Sequence, residues 1–220
     1  MLRSCLRCFG PGEPPPAIDA TADNQMALDR LKQAPEEFLA DHVVSCTELI
    51  KATGSIDFWF GAVKSKAYKL QKSAGWFQDG PAPIQISVFA VRTSQLGEVE
   101  VGALPPQQIE ARCELICTAK LTGCCLVIQP YDPFTGEGPY LVHIQPPEGT
   151  PGEDLEDDLK GRARFDGCDA PPICFGSQDY NPLAEEASVI GVVHEGVWTL
   201  WAQIIDKSTY SILRVRPIGR

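Results

Sequence analysis

Apolar positions along this chain keep a helical period first and a strand period later. TADNQMALDRLKQ predicts a short helix opened by Thr21 or Asp23. PEEFLADHVVSCTELIKATG predicts a longer one. There Pro35 suits the first turn, Glu36 and Glu37 sit at the positive end of the helix dipole, and Gly54 suits the stop. Its Phe38, Leu39, Val43, Cys46, Leu49 and Ile50 follow one helical face. SIDFWFGAV, APIQISVFAVRTS and GEVEVGAL then read as strands. PPQQIEARCELICTA returns to helical spacing, starting at Pro105 or Pro106, with Ile109, Cys113, Ile116 and Cys117 on one face. LTG breaks it, CCLVIQ is an apolar run, YDPFTGEGP is a loop, and YLVHIQ alternates as a strand. ASVIGVVHEGVWTLWAQIIDKSTYSILRVRPI predicts three strands turning at Glu195-Gly196 and at Asp206-Lys207-Ser208, a meander.

Residues 146–187 carry little apolar periodicity. PPEGTPGEDLEDDLKG within them reads as a solvated loop whose charges have no chemical role. Residues 1–20 are rich in proline and glycine and read as a disordered tail. Early helices followed by strands on short turns predict an α+β fold: a mixed or antiparallel β-sandwich core with helices on the outside, in one domain over residues 21–220.

The formal charge of −10 over 220 residues argues against a general binder of nucleic acid or anionic membrane. No stretch reaches the roughly 18 apolar residues of a membrane span, and MLRSCLRCFGPGEPPP has no apolar core of a secretory signal. A soluble monomer is expected, cytosolic or secreted without a Sec-type signal peptide. Cys5 and Cys8 are candidates for palmitoylation. Nine irregularly spaced cysteines predict reduced thiols rather than a disulfide framework. Cys113, Cys117, Cys124 and Cys125 lack the paired spacing of a zinc knuckle. Neither a metal nor a cofactor is expected, and no phosphate-binding glycine loop is present.

The candidate chemistry lies in TAKLTGCCLVIQPYDPFTGEGPYLVHI. Cys124 follows a glycine at a junction of patterns, where backbone N–H groups of Gly123 and Cys124 are candidates to hold an oxyanion. His143 lies on the next predicted strand, which a hairpin would bring beside the cysteine. Thr118, six residues before Cys124, offers a hydroxyl to orient the imidazole. A thiol of ordinary pKa is only a few per cent ionised at neutral pH, so the histidine would supply the base. The same residues also fit a core strand with inert thiols and a structural histidine.

TAKLTGC followed by LVHI resembles the Thr…Leu-Ser-Gly-Cys…His pattern of the Burkholderia lethal factor-like glutamine deamidase toxins. The catalytic domain of cytotoxic necrotizing factor is a more distant likeness. Leu121-Thr122-Gly123-Cys124 stands at the Leu-Ser-Gly-Cys position, with Thr for Ser. LIKATGSIDFWF and ASVIGVVHEGVWTLWAQI extend the likeness over about residues 40–215. The inserted QPYDPFTGEGP is closer to the chemoreceptor glutamine deamidases; aligned on that loop, Cys125 becomes the nucleophile. The resemblance implies a Cys-His deamidase fold and a hydrolase, a protein-glutamine glutaminase with Cys124, His143 and Thr118 as its triad. It implies a toxin or effector, and a host protein substrate such as a translation-initiation RNA helicase or a small GTPase. A transglutaminase, amidase or protease would need the same nucleophile and base, and a non-enzymatic β-sandwich interaction protein would need neither. His42 and His194 read as structural. Gln129, Asp132 and Tyr140 are candidates to line a cleft. Trp198 and Trp201 would face opposite sides of a strand, so at least one packs in the core.

Overall fold

The computed structural model describes residues 20–46, 54–64, 66–77, 81–107, 109–130, 132, 138–147, 152, 154–194 and 196–219. The expected tail with Cys5 and Cys8, the second half of the long predicted helix and most of the YDPFTGEGP loop lie outside them. Among the described residues no helix is long and apolar enough to cross a membrane.

Three helices and twelve strands are present among the described residues. The helices are α1 (Ala20–Gln33), α2 (Pro35–Asp41) and α3 (Leu155–Arg162). One sheet contains β1 (Val43–Cys46), β2 (Gly54–Lys64), β3 (Ala67–Gln71), β4 (Ile84–Ala90), β6 (Leu115–Cys117), β10 (Glu185–His194), β11 (Val197–Asp206) and β12 (Ile212–Ile218). Its spatial order is β1-β3-β2-β4-β6-β10-β11-β12. The smaller sheet contains β5 (Thr93–Gln95), β7 (Cys125–Gln129), β8 (Tyr140–Gln145) and β9 (Ile173–Phe175), in the order β5-β8-β7-β9. Most pairings are antiparallel, with β1–β3, β4–β6 and β5–β8 parallel, so both sheets are mixed.

Three apolar clusters show how the layers stack. Leu28, Leu31, Phe38 and Leu39 of α1 and α2 pack on one face of the large sheet, against Phe58, Val88, Leu115 and Val192. The other face, through Ile116, Val189 and Ala202, meets Leu126, Ile128, Leu141 and Phe175 of the small sheet. The outer face of the small sheet, with Val127 and Ile144, is covered by Leu155 and Leu159 of α3. The result is the expected sandwich with helices outside, built as helix, sheet, sheet, helix. The large sheet also curls back on itself: Cys46 of β1 bridges Ala119, and the Val44 N–H donates to Gln203 Oε1 on β11 at 2.9 Å.

Several predicted elements are corrected. The helix expected over 35–54 stops at Asp41, and Val43–Cys46 is a strand lying parallel to β3. Adjacent β-branched Val43 and Val44 suit that ladder, and Gln203 accepts from Val44 while donating to the carbonyls of Leu39 and His42, at 2.5 and 2.7 Å. The helix expected over 105–117 is instead irregular chain leading into β6, wedged between β4 and β10. Leu115 and Cys117 face the α1–α2 side and Ile116 the other. A strand buried on both faces is apolar throughout, and its period does not separate it from a helix. GEVEVGAL is not a strand; it opens with a 3-10 turn at Leu96–Glu98, where the Gln95 N–H donates to Glu98 Oε2 at 3.1 Å. The acidic loop contains α3, whose Leu155, Glu156 and Leu159 are buried. The three-strand meander at the C-terminal end stands as read.

Candidate active site

Strand pairing settles which cysteine shares a face with His143. On β7 and β8, Cys125 lies opposite Ile144 and Leu126 opposite His143. Residues directly opposite in an antiparallel ladder point to the same face, and neighbours along a strand point to opposite faces. Cys124 and Leu126 lie in the core between the sheets, whereas Cys125 and Val127 lie in the core under α3. His143, opposite Leu126, therefore shares the inter-sheet face with Cys124. Extending the register by one step sets Gln145 opposite Cys124, so Cys124 and His143 are diagonal neighbours, their Cβ atoms roughly 7 Å apart.

His143 is fully buried. Its Nδ1 lies 3.3 Å from Oγ1 of Thr93, its partner on parallel strand β5, and its Nε2 has no hydrogen-bond partner among the described residues. Burial holds the imidazole down to about 4, so the ring is neutral at physiological pH. Cys124 is 5% exposed. Burial pushes its thiol up, opposed by the Thr122 backbone and by the side chain of Gln145. Gln95 Nε2 donates to Gln145 Oε1 at 2.9 Å. With its oxygen so engaged, Gln145 turns its amide N–H groups to other partners, and Cys124 is the group opposite.

The chain before the thiol is held by Tyr180, whose hydroxyl accepts from the Gly123 N–H at 2.9 Å and donates to the Cys124 carbonyl at 3.0 Å. Gly123 has φ of +113°, a conformation that disfavours residues with a Cβ. Gly152 lies so close that a Cβ there would stand 2.0 Å from the Gly123 oxygen.

Thr118 and Gly123 do not hold the roles expected of them in this structure. The Thr118 hydroxyl accepts from the Val189 N–H at 3.2 Å, in the ladder of the large sheet, and the hydroxyl that meets the imidazole is that of Thr93. The Gly123 N–H is committed to Tyr180; of the expected backbone pair, the Cys124 N–H is the one Tyr180 does not occupy. Cys125 faces the α3 side, away from His143. Its hydrogen bond to Cys174, then its burial, push its thiol far up, and the same bond lowers Cys174. Gln129 pairs with Tyr140 at the far end of β7 from Cys124, about 17 Å along the strand. Gln129 and Tyr140 therefore lie away from the thiol, and most of the loop carrying Asp132 lies outside the described residues. His42 stacks on Phe38 at a centroid distance of 4.4 Å, and His194 ends β10 opposite Val197. Trp201 packs against the α1–α2 side and Trp198 against the inter-sheet core.

Thr93 and Gln145 went unnoticed in the sequence. Gln145 follows "VHI" on the predicted strand, and alternation alone would set it on the histidine's face. Thr93 lies far upstream and meets His143 only through a parallel pairing that no local pattern signals. No protein-family model matches this chain, and no curated protein matches it in sequence.

Proposed function

We propose that the chain is a cysteine-dependent protein glutamine deamidase of the Cys-His type, a toxin or effector acting on a host protein. One observation carries the reading: a fully buried imidazole keeps Nε2 without a partner on the sheet face that also bears Cys124. In an inert core such an orphan costs about 1–3 kcal/mol; in an active site it is the lone pair that takes a thiol proton.

In this mechanism Thr93 Oγ1 accepts from Nδ1–H, which leaves the lone pair on Nε2. Nε2 takes the Cys124 proton as the sulfur attacks the carboxamide carbon of a substrate glutamine. The C=O electron pair moves to oxygen, where the Gln145 amide and the Cys124 N–H donate to it. Collapse breaks the C–N bond, and Nε2 passes its proton to the departing ammonia. Water, deprotonated by Nε2, then cleaves the thioester, leaving glutamate and the free thiol. The product places a carboxylate where the target had a neutral group, costly wherever that site is packed. By resemblance, the substrates to test are a translation-initiation RNA helicase and small GTPases. Transglutaminase, amidase or protease activity would use the same nucleophile with another acyl donor or acceptor.

A second reading, a non-enzymatic β-sandwich interaction protein, is favoured by the burial of Cys124 and by the absence of a hydrogen bond to either His143 nitrogen from its thiol. Peptide mass spectrometry of candidate proteins after incubation separates the two. The deamidase reading expects the mass gain of an amide-to-acid conversion on one glutamine, lost with Cys124→Ser and kept with Cys125→Ser. Full activity in folded Cys124→Ser would refute the nucleophile, and no conversion in any candidate protein would favour the second reading.

A further inference from the structure

Where the large sheet curls back, a cleft of about 760 Å³ opens between β1 and the β11–β12 turn. Val43 and Ser45 of β1 and Lys69 of β3 form one wall, and Thr209, Tyr210 and Ile212 form the other. Lys64, Lys66 and Lys120 also line it, and Asp41 is its one acidic lining residue. Lys66 is paired with Asp41 and Lys120 with Glu186, while Lys64 and Lys69 have no carboxylate partner among the described residues. The sequence segregates charge in the same place. Lys64, Lys66, Lys69 and Lys72 fall in a stretch with no aspartate or glutamate between Asp57 and Asp79, in a chain whose formal charge is −10.

We propose that this cleft binds an extended acidic segment of a partner protein. Lys64 and Lys69 supply cationic donors that no carboxylate among the described residues neutralises. Val43, Val63, Ile205 and Ile212 supply an apolar lining that would receive aliphatic side chains interspersed with the acidic ones. A long polyanion fits less well, since beyond the cleft it meets a strongly acidic molecule that repels it. The proposal is independent of the Cys124 chemistry: neither Cys124 nor His143 lines the cleft.

The test is fluorescence anisotropy with a labelled peptide alternating glutamate and leucine, beside its glutamine-for-glutamate counterpart and a single-stranded oligouridylate. The acidic peptide is expected to bind, to weaken with added salt, and to lose roughly tenfold or more in affinity in the Lys64→Glu/Lys69→Glu variant. Circular dichroism and thermal melting verify that this surface variant folds, and Lys64→Ala/Lys69→Ala gives a milder loss in the same direction. Equal binding of the neutral peptide, preference for the RNA, wild-type affinity in both folded variants, or no binding of the acidic peptide would each overturn the proposal.

Discussion

At the residue scale, His143 and Gln145 have separable signatures. His143 is neutral and buried, held down to about 4, while an unfolded chain presents a histidine of ordinary pKa near 6.5. As pH falls through that interval the unfolded state takes up a proton that the folded state refuses, so acidification destabilises the fold. The loss amounts to something on the order of 3 kcal/mol between about pH 6.5 and 4. Chemical denaturation across that range is expected to show it in the wild type and to show a flatter profile in His143→Gln. For Gln145, the proposed deamidase mechanism expects replacement by alanine to lower kcat on a glutamine-bearing substrate about 10²–10³-fold with little change in KM, the mark of a donor used in the transition state. Steady-state kinetics on a substrate identified by mass spectrometry checks it.

At the element scale, the side chains of β6 and β11 close over β10 because position 191, opposite Ile116 and Leu200, has no side chain. A Cβ on Gly191 would stand 2.7 Å from Ile116 Cβ and 2.9 Å from Leu200 Cδ2. Gly191→Ala is therefore expected to cost about 1–3 kcal/mol in urea denaturation by displacing the Ile116 and Leu200 side chains packed over it. These same strands mark where the sequence was legible. β10, β11 and β12 were readable because alternation and tight turns are local properties. β8, with His143, was readable for the same reason, and the pairing of β7 with β8 then fixed the face of Cys124. The β6 segment was misread because burial on both sides erases the period. The strand at Val43–Cys46 was misread because its partner, β3, lies beyond a long intervening hairpin arm. At the site, the Cys124–His143 juxtaposition followed from chain order, while Thr93, Tyr180 and Gly152 arrive from distant segments.

At the scale of the whole molecule, Gln203 ties the two halves of the large sheet. It is buried, accepts from Val44 on β1 and donates to the carbonyls of Leu39 and His42, so α2, β1 and β11 share one side chain. Gln203→Leu keeps bulk but strands these backbone groups, at an expected cost of about 1–3 kcal/mol or more. Thermal denaturation should show the loss, and amide hydrogen exchange should show it concentrated at Val44 and in α2. A closer coupling joins Gly123 and Gly152, where main chain meets main chain. The dependence runs one way: a larger residue at 152 is admissible only if the turn at 123 is rebuilt with it. A side chain gained at 152 is bound to rework the turn at 123, and the sulfur that follows moves with it.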